Sequence, residues 1–541
     1  MTDSPPQRRR SLASIATIVA IATLISKVAG LVRQQAIAAE FGVGPEVDAY
    51  NFAYVIPSFL FILLGGVNGP FHSSVVSVLA KHPKQDAAAL IETINTLVGV
   101  LLLILTAGLI LAADPLINLL APGVSANVHA MAVEQLRIMA PLAFFSGLIG
   151  IGFGTLVASD QYWLPSISPL LSSLTVIIGV LCLSNQVGPA VMAWGTLAGG
   201  VLQWFAQIPA QWGSGMGTLR LRFDFKRPGV QELATLMGPA TLSSGMLLIS
   251  VAISLFFASQ LPEGSASALT YAQLLFLTPL GILSNVILVP YMPIFSALTA
   301  PESWTELKDR IHQSLILSAM SMMPIGALMA VLALPAVRVV YQRGAFDSEA
   351  SQLVASLLVV YAFGMFFYLG RDIFVRVFYA FEDGNVPLQI SVLGLFFNAI
   401  FCFFFTKRFG APGLAMATVG VQVLSMVALV WILHKRLKGL PWVATGGPIL
   451  ALAVSSLLCG FAAQVSLDGC QLLLGSEGLL RQLVTLSVST GVGLFVFIVL
   501  VVQLRLPEMN FFIERLQQKL PSLAQQSIAT KRLLKMIRGR R

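Results

Sequence analysis

The chain has 541 residues, of which 56% are hydrophobic and only 11% are charged, and its mean hydropathy is +0.84. Soluble domains carry about 25% charged residues, so this composition excludes an ordinary water-soluble protein and predicts an integral membrane protein. The net charge of +9 would suit a nucleic-acid-binding protein, but the cations lie between apolar stretches rather than in one basic domain. We therefore expect no nucleic-acid partner.

Fourteen apolar stretches follow one another along the chain. Each is long enough to cross ~30 Å of hydrocarbon as a helix, and none shows the alternating pattern of a barrel strand. The predicted spans are 12–38, 49–79, 88–113, 135–158, 164–183, 189–212, 231–260, 267–298, 312–337, 350–381, 386–406, 411–433, 445–465 and 479–504. The first is too long for the apolar region of a signal peptide. The sequence therefore predicts an all-α membrane fold with fourteen transmembrane helices.

Lysine and arginine are unevenly distributed between the two sides of this arrangement. Most of the 33 fall on the side that holds the N-terminus (1–11) and the basic tail (505–541). Cytoplasmic loops carry an excess of these residues, so both termini are predicted to be cytoplasmic. The tail is either a solvated topology anchor or a segment that lies on anionic headgroups. The few cations on the other side are Arg338, Arg343, Lys407 and Arg408.

The first twelve spans contain an internal repeat. A shift of 222 residues aligns Asp160 with Glu382 and Gly188 with Gly410. Because each unit has an even number of crossings, the two units enter the membrane in the same sense, which is typical of transporters with a central cavity. The predicted domains are a cytoplasmic N-terminus (1–11), an N-lobe (12–212), a cytoplasmic linker (213–230), a C-lobe (231–433), an added helix pair (445–504) and the basic tail (505–541).

Two cations lie inside the first span, Lys27 and Arg33. A charge in the hydrocarbon region costs roughly 2.5–3.5 kcal/mol, so each needs a partner, a water-filled cavity or an anionic ligand. Asp48, at the start of the second span, is positioned to neutralise Arg33. Lys27 has no such neighbour in sequence, which favours a place in a cavity.

A second charged group, Arg371, Asp372 and Arg376, lies in the tenth span. Asp372 and Arg376 are four residues apart and can pair on one helix face, so this group is either structural or part of a binding site. A cationic pocket with apolar edges suits a lipid that carries phosphate or pyrophosphate.

Signatures of catalysis and of cofactor binding are missing from the sequence. The four cysteines lack metal-ligand spacing, the five histidines are scattered, and no nucleotide-binding glycine loop is present. We expect a transporter without a cofactor or bound metal, and not an enzyme. A membrane glycosyltransferase is disfavoured because no suitable carboxylate pair follows a span.

Several motifs resemble those of one family, the MurJ (MviN) lipid II flippases of the multidrug/oligosaccharidyl-lipid/polysaccharide exporter superfamily. They are Ser26–Arg33, Phe41–Gly42 with Asp48, Ile56–Ser58, Met237–Ala240, Tyr341–Asp347, Arg376–Asp383 with Pro387, and Gly413–Thr418. The resemblance covers residues 12 to about 430 in family order. It implies movement of the lipid-linked peptidoglycan precursor between leaflets of the bacterial inner membrane by alternating access, with a groove for the lipid tail at 445–504.

The resemblance also implies site residues. Arg33 and Asp48 match a cavity arginine and an acid of the family, Lys27 stands where the family has another cavity arginine, and Ser58 stands where asparagine is usual. Arg371 and Arg376 complete the predicted substrate site. Lys27, Arg33, Asp48 and Ser58 are candidates because of the resemblance. It also implies that the substrate is lipid II or a similar anionic polyprenyl-pyrophosphate glycolipid, and we expect the transporter to be a monomer.

The chain also departs from the family pattern. Positions near Phe61 and Leu274 lack the usual arginines. Asn398 and Thr418 match the family's ion site, but Cys402 stands where an acid is expected, which leaves open whether sodium, protons or the membrane potential drives transport. The alternatives are an exporter of drugs or of another polyprenyl-linked glycan, and a membrane scaffold that does not transport.

Overall fold

The computed structural model describes residues 12–65, 70–81, 84–215, 220–224, 226, 228–475 and 478–504. These residues form nineteen α-helices and one short 3-10 helix, without a β-strand among them. The helices are α1 Leu12–Phe41, α2 Pro45–Gly65, α3 Pro70–Lys81, α4 Lys84–Leu111, α5 Ala113–Leu120, α6 Ala126–Met139, α7 Leu142–Ala158, α8 Trp163–Ile167, α9 Pro169–Val187, α10 Ala190–Gly213, α11 Pro228–Ala258, α12 Ser265–Ala297, α13 Trp304–Val331, α14 Ala333–Tyr341, α15 Ser348–Ala380, α16 Asn385–Phe409, α17 Ala411–Arg436, α18 Trp442–Leu474 and α19 Leu479–Leu504.

Every predicted span falls on one or two of these helices. The predicted span 49–79 corresponds to α2 and α3, and 312–337 corresponds to α13 and the start of α14. Eleven helical segments of the described chain are long and apolar enough to cross a membrane. The all-helical membrane architecture is thereby confirmed, while the count of fourteen crossings stays a prediction. The predicted N-terminus and basic tail lie outside the described residues.

The chain divides into two compact units. The first comprises Met1–Leu275, Val337–Leu357 and Ser391–Val421. Its helices pack in a chain of neighbours in which α1 contacts α8 and α9, α2 contacts α6 and α7, and α10 contacts α7 and α9. A hydrophobic core joins α3 and α4 to the start of α11 through Val75, Ile91 and Leu233, each almost fully buried.

The second unit comprises Phe276–Ala336, Leu358–Ile390 and Gln422–Arg541. Its main packing is between α13 and α18 and between α18 and α19. Gly493 on α19 permits this approach, because a Cβ there would lie 3.0 Å from the Cys459 carbonyl oxygen on α18.

Backbone conformation supports the 222-residue repeat. α7 ends at Ala158 and α15 ends at the equivalent Ala380. Asp160 and Glu382 follow these ends with left-handed φ values of 61° and 57°. The Gln161 N–H donates to the Leu156 carbonyl at 2.9 Å, and the Asp383 N–H donates to the Phe378 carbonyl at 3.0 Å. Both helices therefore end in the same Schellman-type turn. Chance similarity between two apolar sequences would not produce this shared turn.

Candidate functional site

The cations of α1 have no carboxylate partner among the residues that the structure describes. Lys27 is exposed, and neither it nor Arg33 forms an ion pair with a described residue. The Nε of Arg33 is buried without a hydrogen-bond partner. The helix is fixed one residue away, where the Ser26 hydroxyl donates to the Ser166 carbonyl at 3.3 Å. Six residues of helix separate the two cations by about 9 Å and about 120°, so they form two contact points rather than one cluster.

Asp48 binds the N-terminus of α12. Its two carboxylate oxygens accept hydrogen bonds from the backbone N–H groups of Gly264 at 2.6 Å and Ser267 at 2.7 Å. The side chain is only 4% exposed. A helix N-terminus presents unpaired N–H groups and a partial positive charge, which accounts for this contact. The expected ion pair between Asp48 and Arg33 is not among the ion pairs of the described residues, and the Asp48 carboxylate instead accepts from the backbone of α12.

Two glycines bring the end of α1 against the loop before α15. The Ala345 N–H donates to the Ala39 carbonyl at 2.8 Å. Gly344 has φ +57°, and a Cβ there would lie 2.1 Å from the Ala39 oxygen. Gly42 has φ +65°, and its Cβ would lie 2.5 Å from the Ala345 oxygen. Neither position accepts a larger residue without movement of backbone. We call this contact, together with the contact between Asp48 of α2 and the N-terminus of α12, the Asp48 junction.

Aromatic and polar contacts surround the Asp48 junction. The buried rings of Tyr271 and Tyr341 lie 5.0 Å apart, and the Tyr271 hydroxyl donates to the Gly42 carbonyl at 3.2 Å. The Ser125 hydroxyl donates to Glu263 at 2.8 Å beside a cavity of about 320 Å³ that Asp48 also lines. The junction thus ties α1, α2 and α12 at one end of the bundle.

The charged group of α15 is arranged differently from the prediction. Arg371 Nη1 donates to the adjacent Asp372 at 3.1 Å, whereas Arg376 Nη1 donates to the Leu288 carbonyl of α12 at 3.4 Å. The expected pair of Asp372 with Arg376 is therefore replaced by a pair with Arg371. Arg376 is held by a neutral acceptor, so its positive charge is not cancelled by that bond.

Tyr368 and Gln422 are polar residues near this group that the sequence did not reveal. Their side chains are hydrogen-bonded, and Tyr368 also packs on Phe276 with ring centroids 4.9 Å apart. A tyrosine and a glutamine in apolar helices have no characteristic spacing, so only the fold brings them together.

Ser58 and the proposed ion-site residues make local contacts. The Ser58 hydroxyl donates to the Val55 carbonyl at 2.9 Å within α2. Asn398 is 3% exposed; among the described residues its Nδ2 has no partner, and its Oδ1 accepts the Cys402 thiol at 3.8 Å. The Thr418 hydroxyl donates to the Leu414 carbonyl at 3.0 Å. The described part of the chain holds no metal-binding group of three or more His, Cys, Asp or Glu.

Comparison with known proteins relates this chain to one protein family. The family model for lipid II flippase MurJ matches residues 37–474. The chain belongs to this family. A probable lipid II flippase MurJ of Synechocystis sp. is 52% identical over 525 residues, which cover 94% of this chain and 98% of that protein. The lipid II flippase MurJ of Burkholderia cenocepacia is 28% identical over 430 residues, covering 76% of this chain and 82% of its own length.

Solved structures share the fold. A lipid II flippase MurJ in an inward closed conformation matches with a TM-score of 0.74 at 22% identity, covering 90% of this chain and 98% of that one. A multidrug resistance MATE transporter of the MOP superfamily, in an inward-facing conformation, matches with a TM-score of 0.57 at 16% identity, covering 78% of this chain and 99% of that one. The chain therefore shares the fold of both structures. Its membership of the lipid II flippase family makes it a transporter and not an enzyme.

Proposed function

We propose that this chain moves lipid II, the lipid-linked peptidoglycan precursor, from the inner to the outer leaflet of the bacterial plasma membrane. The movement uses alternating access of an N-lobe (12–212) and a C-lobe (231–433) within a fourteen-helix monomer whose termini are cytoplasmic. Helices α18 and α19, in the added pair 445–504, hold the lipid tail.

The unpaired cations of α1 carry this proposal. Lys27 and Arg33 lie in an apolar helix without a carboxylate partner among the described residues. An uncompensated charge there is costly, and an arriving pyrophosphate offsets that cost through charge-assisted hydrogen bonds. Arg376 on α15, which donates to the neutral Leu288 carbonyl, supplies further positive charge, whereas Arg371 is paired with Asp372. Cationic drugs would instead require unpaired cavity acids, which favours the anionic lipid over drug export.

The Asp48 junction supplies the conformational part of the proposal. Alternating access needs a contact that closes one end and that can separate. The junction depends on a carboxylate at a helix end and on backbone contacts through glycine, and such contacts break without disturbing an apolar core. We therefore assign Asp48 to closure rather than to direct substrate contact.

The test is transport of labelled lipid II by purified protein in liposomes, combined with growth of a strain depleted of its own flippase. Each charged hydrogen bond is worth about 1.5–3 kcal/mol, so Lys27→Ala and Arg33→Ala are each expected to lower transport by tenfold or more. Lys407→Ala is the matched control, because this exposed cation of α16 lies 3.8 Å over the Phe403 ring of the same helix. Full transport by both α1 variants would refute the site, and transport of another polyprenyl-linked glycan in preference to lipid II would refute the substrate.

A further inference from the structure

The linker between α10 and α11 carries an alternation of charged and apolar residues that the proposed transport site does not use. Arg220, Leu221, Arg222 and Phe223 follow one another in an irregular segment of the described chain. Leu221 is 77% exposed and Phe223 is 62% exposed. Apolar side chains this exposed beside cations are typical of a segment that lies at a membrane surface.

The segment is fixed to α4 by its middle residue. The Arg222 N–H donates to the Thr96 hydroxyl at 2.9 Å, and the Arg222 Nε lies 3.6 Å from a carboxylate oxygen of Glu92. Glu92 is only 6% exposed, whereas the Arg222 side chain is 43% exposed, so the ion pair holds the exposed linker against a buried carboxylate. This contact therefore fixes the backbone of the linker, and it pairs Arg222 with a carboxylate.

The position of the anchor decides what Leu221 and Phe223 face. Thr96 lies twelve residues after the start of α4, at Lys84, which is about 18 Å along the helix axis. The linker therefore runs along α4 rather than extending away from it. This places the exposed Leu221 and Phe223 beside the predicted span 88–113, where apolar side chains can meet acyl chains.

Two cations beside the anchor remain available. Arg220 and Lys226 are exposed, and neither forms an ion pair within the described part of the chain. Their long side chains can reach headgroups while the backbone lies deeper. We propose that this linker is a binding site for an anionic phospholipid, whose phosphate is bound by Arg220 and Lys226 and whose acyl chains pack on Leu221 and Phe223. The site stands independently of the transported substrate.

Site-directed photocrosslinking tests this proposal. Phe223 is replaced by p-benzoylphenylalanine, and the full-length protein is irradiated in nanodiscs of equimolar phosphatidylglycerol and phosphatidylcholine. Adducts are identified by mass spectrometry. A cation near a membrane favours anionic lipid by roughly fivefold, so phosphatidylglycerol adducts are expected to exceed phosphatidylcholine adducts by at least that factor.

Charge variants separate the headgroup contact from simple insertion. Arg220→Gln with Lys226→Gln is expected to bring the adduct ratio close to one while the total lipid adduct persists, because Arg222 and the apolar side chains remain. Lys407→Gln with Arg408→Gln removes the same charge at the end of α16 and should leave the ratio unchanged.

Three results would overturn the site. They are an absence of lipid adducts, a ratio that the linker variants do not alter, and displacement of the adducts by an added polyprenyl-pyrophosphate lipid. The last result would assign the segment to the transported substrate instead of bilayer phospholipid.

Discussion

Replacing Gly344 with alanine should open the Asp48 junction. The residue has φ +57°, and its new Cβ would lie 2.1 Å from the Ala39 carbonyl oxygen. A left-handed conformation costs alanine about 1–2 kcal/mol, and loss of the 2.8 Å bond from Ala345 to Ala39 costs a further 0.5–1.5 kcal/mol, on the order of one hydrogen bond. A total of about 2–3 kcal/mol shifts the equilibrium toward the open state by roughly 30- to 150-fold.

Thiol accessibility measures this shift. Ala266, at the start of α12, is fully buried, so Ala266→Cys in a cysteine-free background should react with a membrane-impermeant maleimide only when the junction opens. We expect Gly344→Ala to raise the labelling rate by at least an order of magnitude. Gly188→Ala is the matched control, because Gly188 has φ +65° but no atom within 4 Å of its Cβ position. Equal labelling of the two glycine variants would refute the reasoning.

Three further changes probe other contacts. Asp48→Asn removes the charge and one acceptor at the α12 N-terminus, so the rate of maleimide labelling at Ala266→Cys should rise about tenfold. An unchanged rate would mean that the backbone contacts alone close the junction. Cys402→Asp places a carboxylate beside Asn398 and should make the melting temperature depend on sodium. The unmodified chain should show no such dependence, and a sodium effect on its melting temperature would contradict a site without a carboxylate. Lys81→Gln breaks an exposed ion pair and should change stability by less than about 1 kcal/mol in chemical denaturation, a larger loss indicating a role in the core.

The helices were predictable because they depend on local and periodic signals. Apolar length alone located each predicted span on an observed helix. The equivalence of Asp160 with Glu382 followed from a sequence shift, and their left-handed backbones agree with it. Such turns are fixed by residues within one helix end, so the information is contained in a short stretch of sequence.

The site was only partly predictable. Charge location made Lys27 and Arg33 candidate site residues, since a cation in an apolar run is conspicuous in any sequence, and their role stays a prediction. Asp48 was expected to pair with Arg33 because opposite charge is the only attraction visible in sequence. The fold instead provides backbone N–H groups of α12, and every residue except proline has such a group. No residue pattern distinguishes those donors until the helices are packed.

The hydrogen bonds of Asp48 to the backbone of α12 explain why Asp48 does not neutralise Arg33. A carboxylate that neutralised Arg33 would weaken its attraction for a phosphate, because the interaction falls when the local charge is cancelled. With both Asp48 oxygens on α12, the Asp48 junction and an Arg33 that has no ion pair among the described residues occur together. Closure at one end therefore leaves the cations of α1 uncompensated. An anionic lipid that binds them should stabilise this state over any state in which Asp48 is released near a cation, and thiol labelling of Ala266→Cys with and without lipid II measures that difference directly.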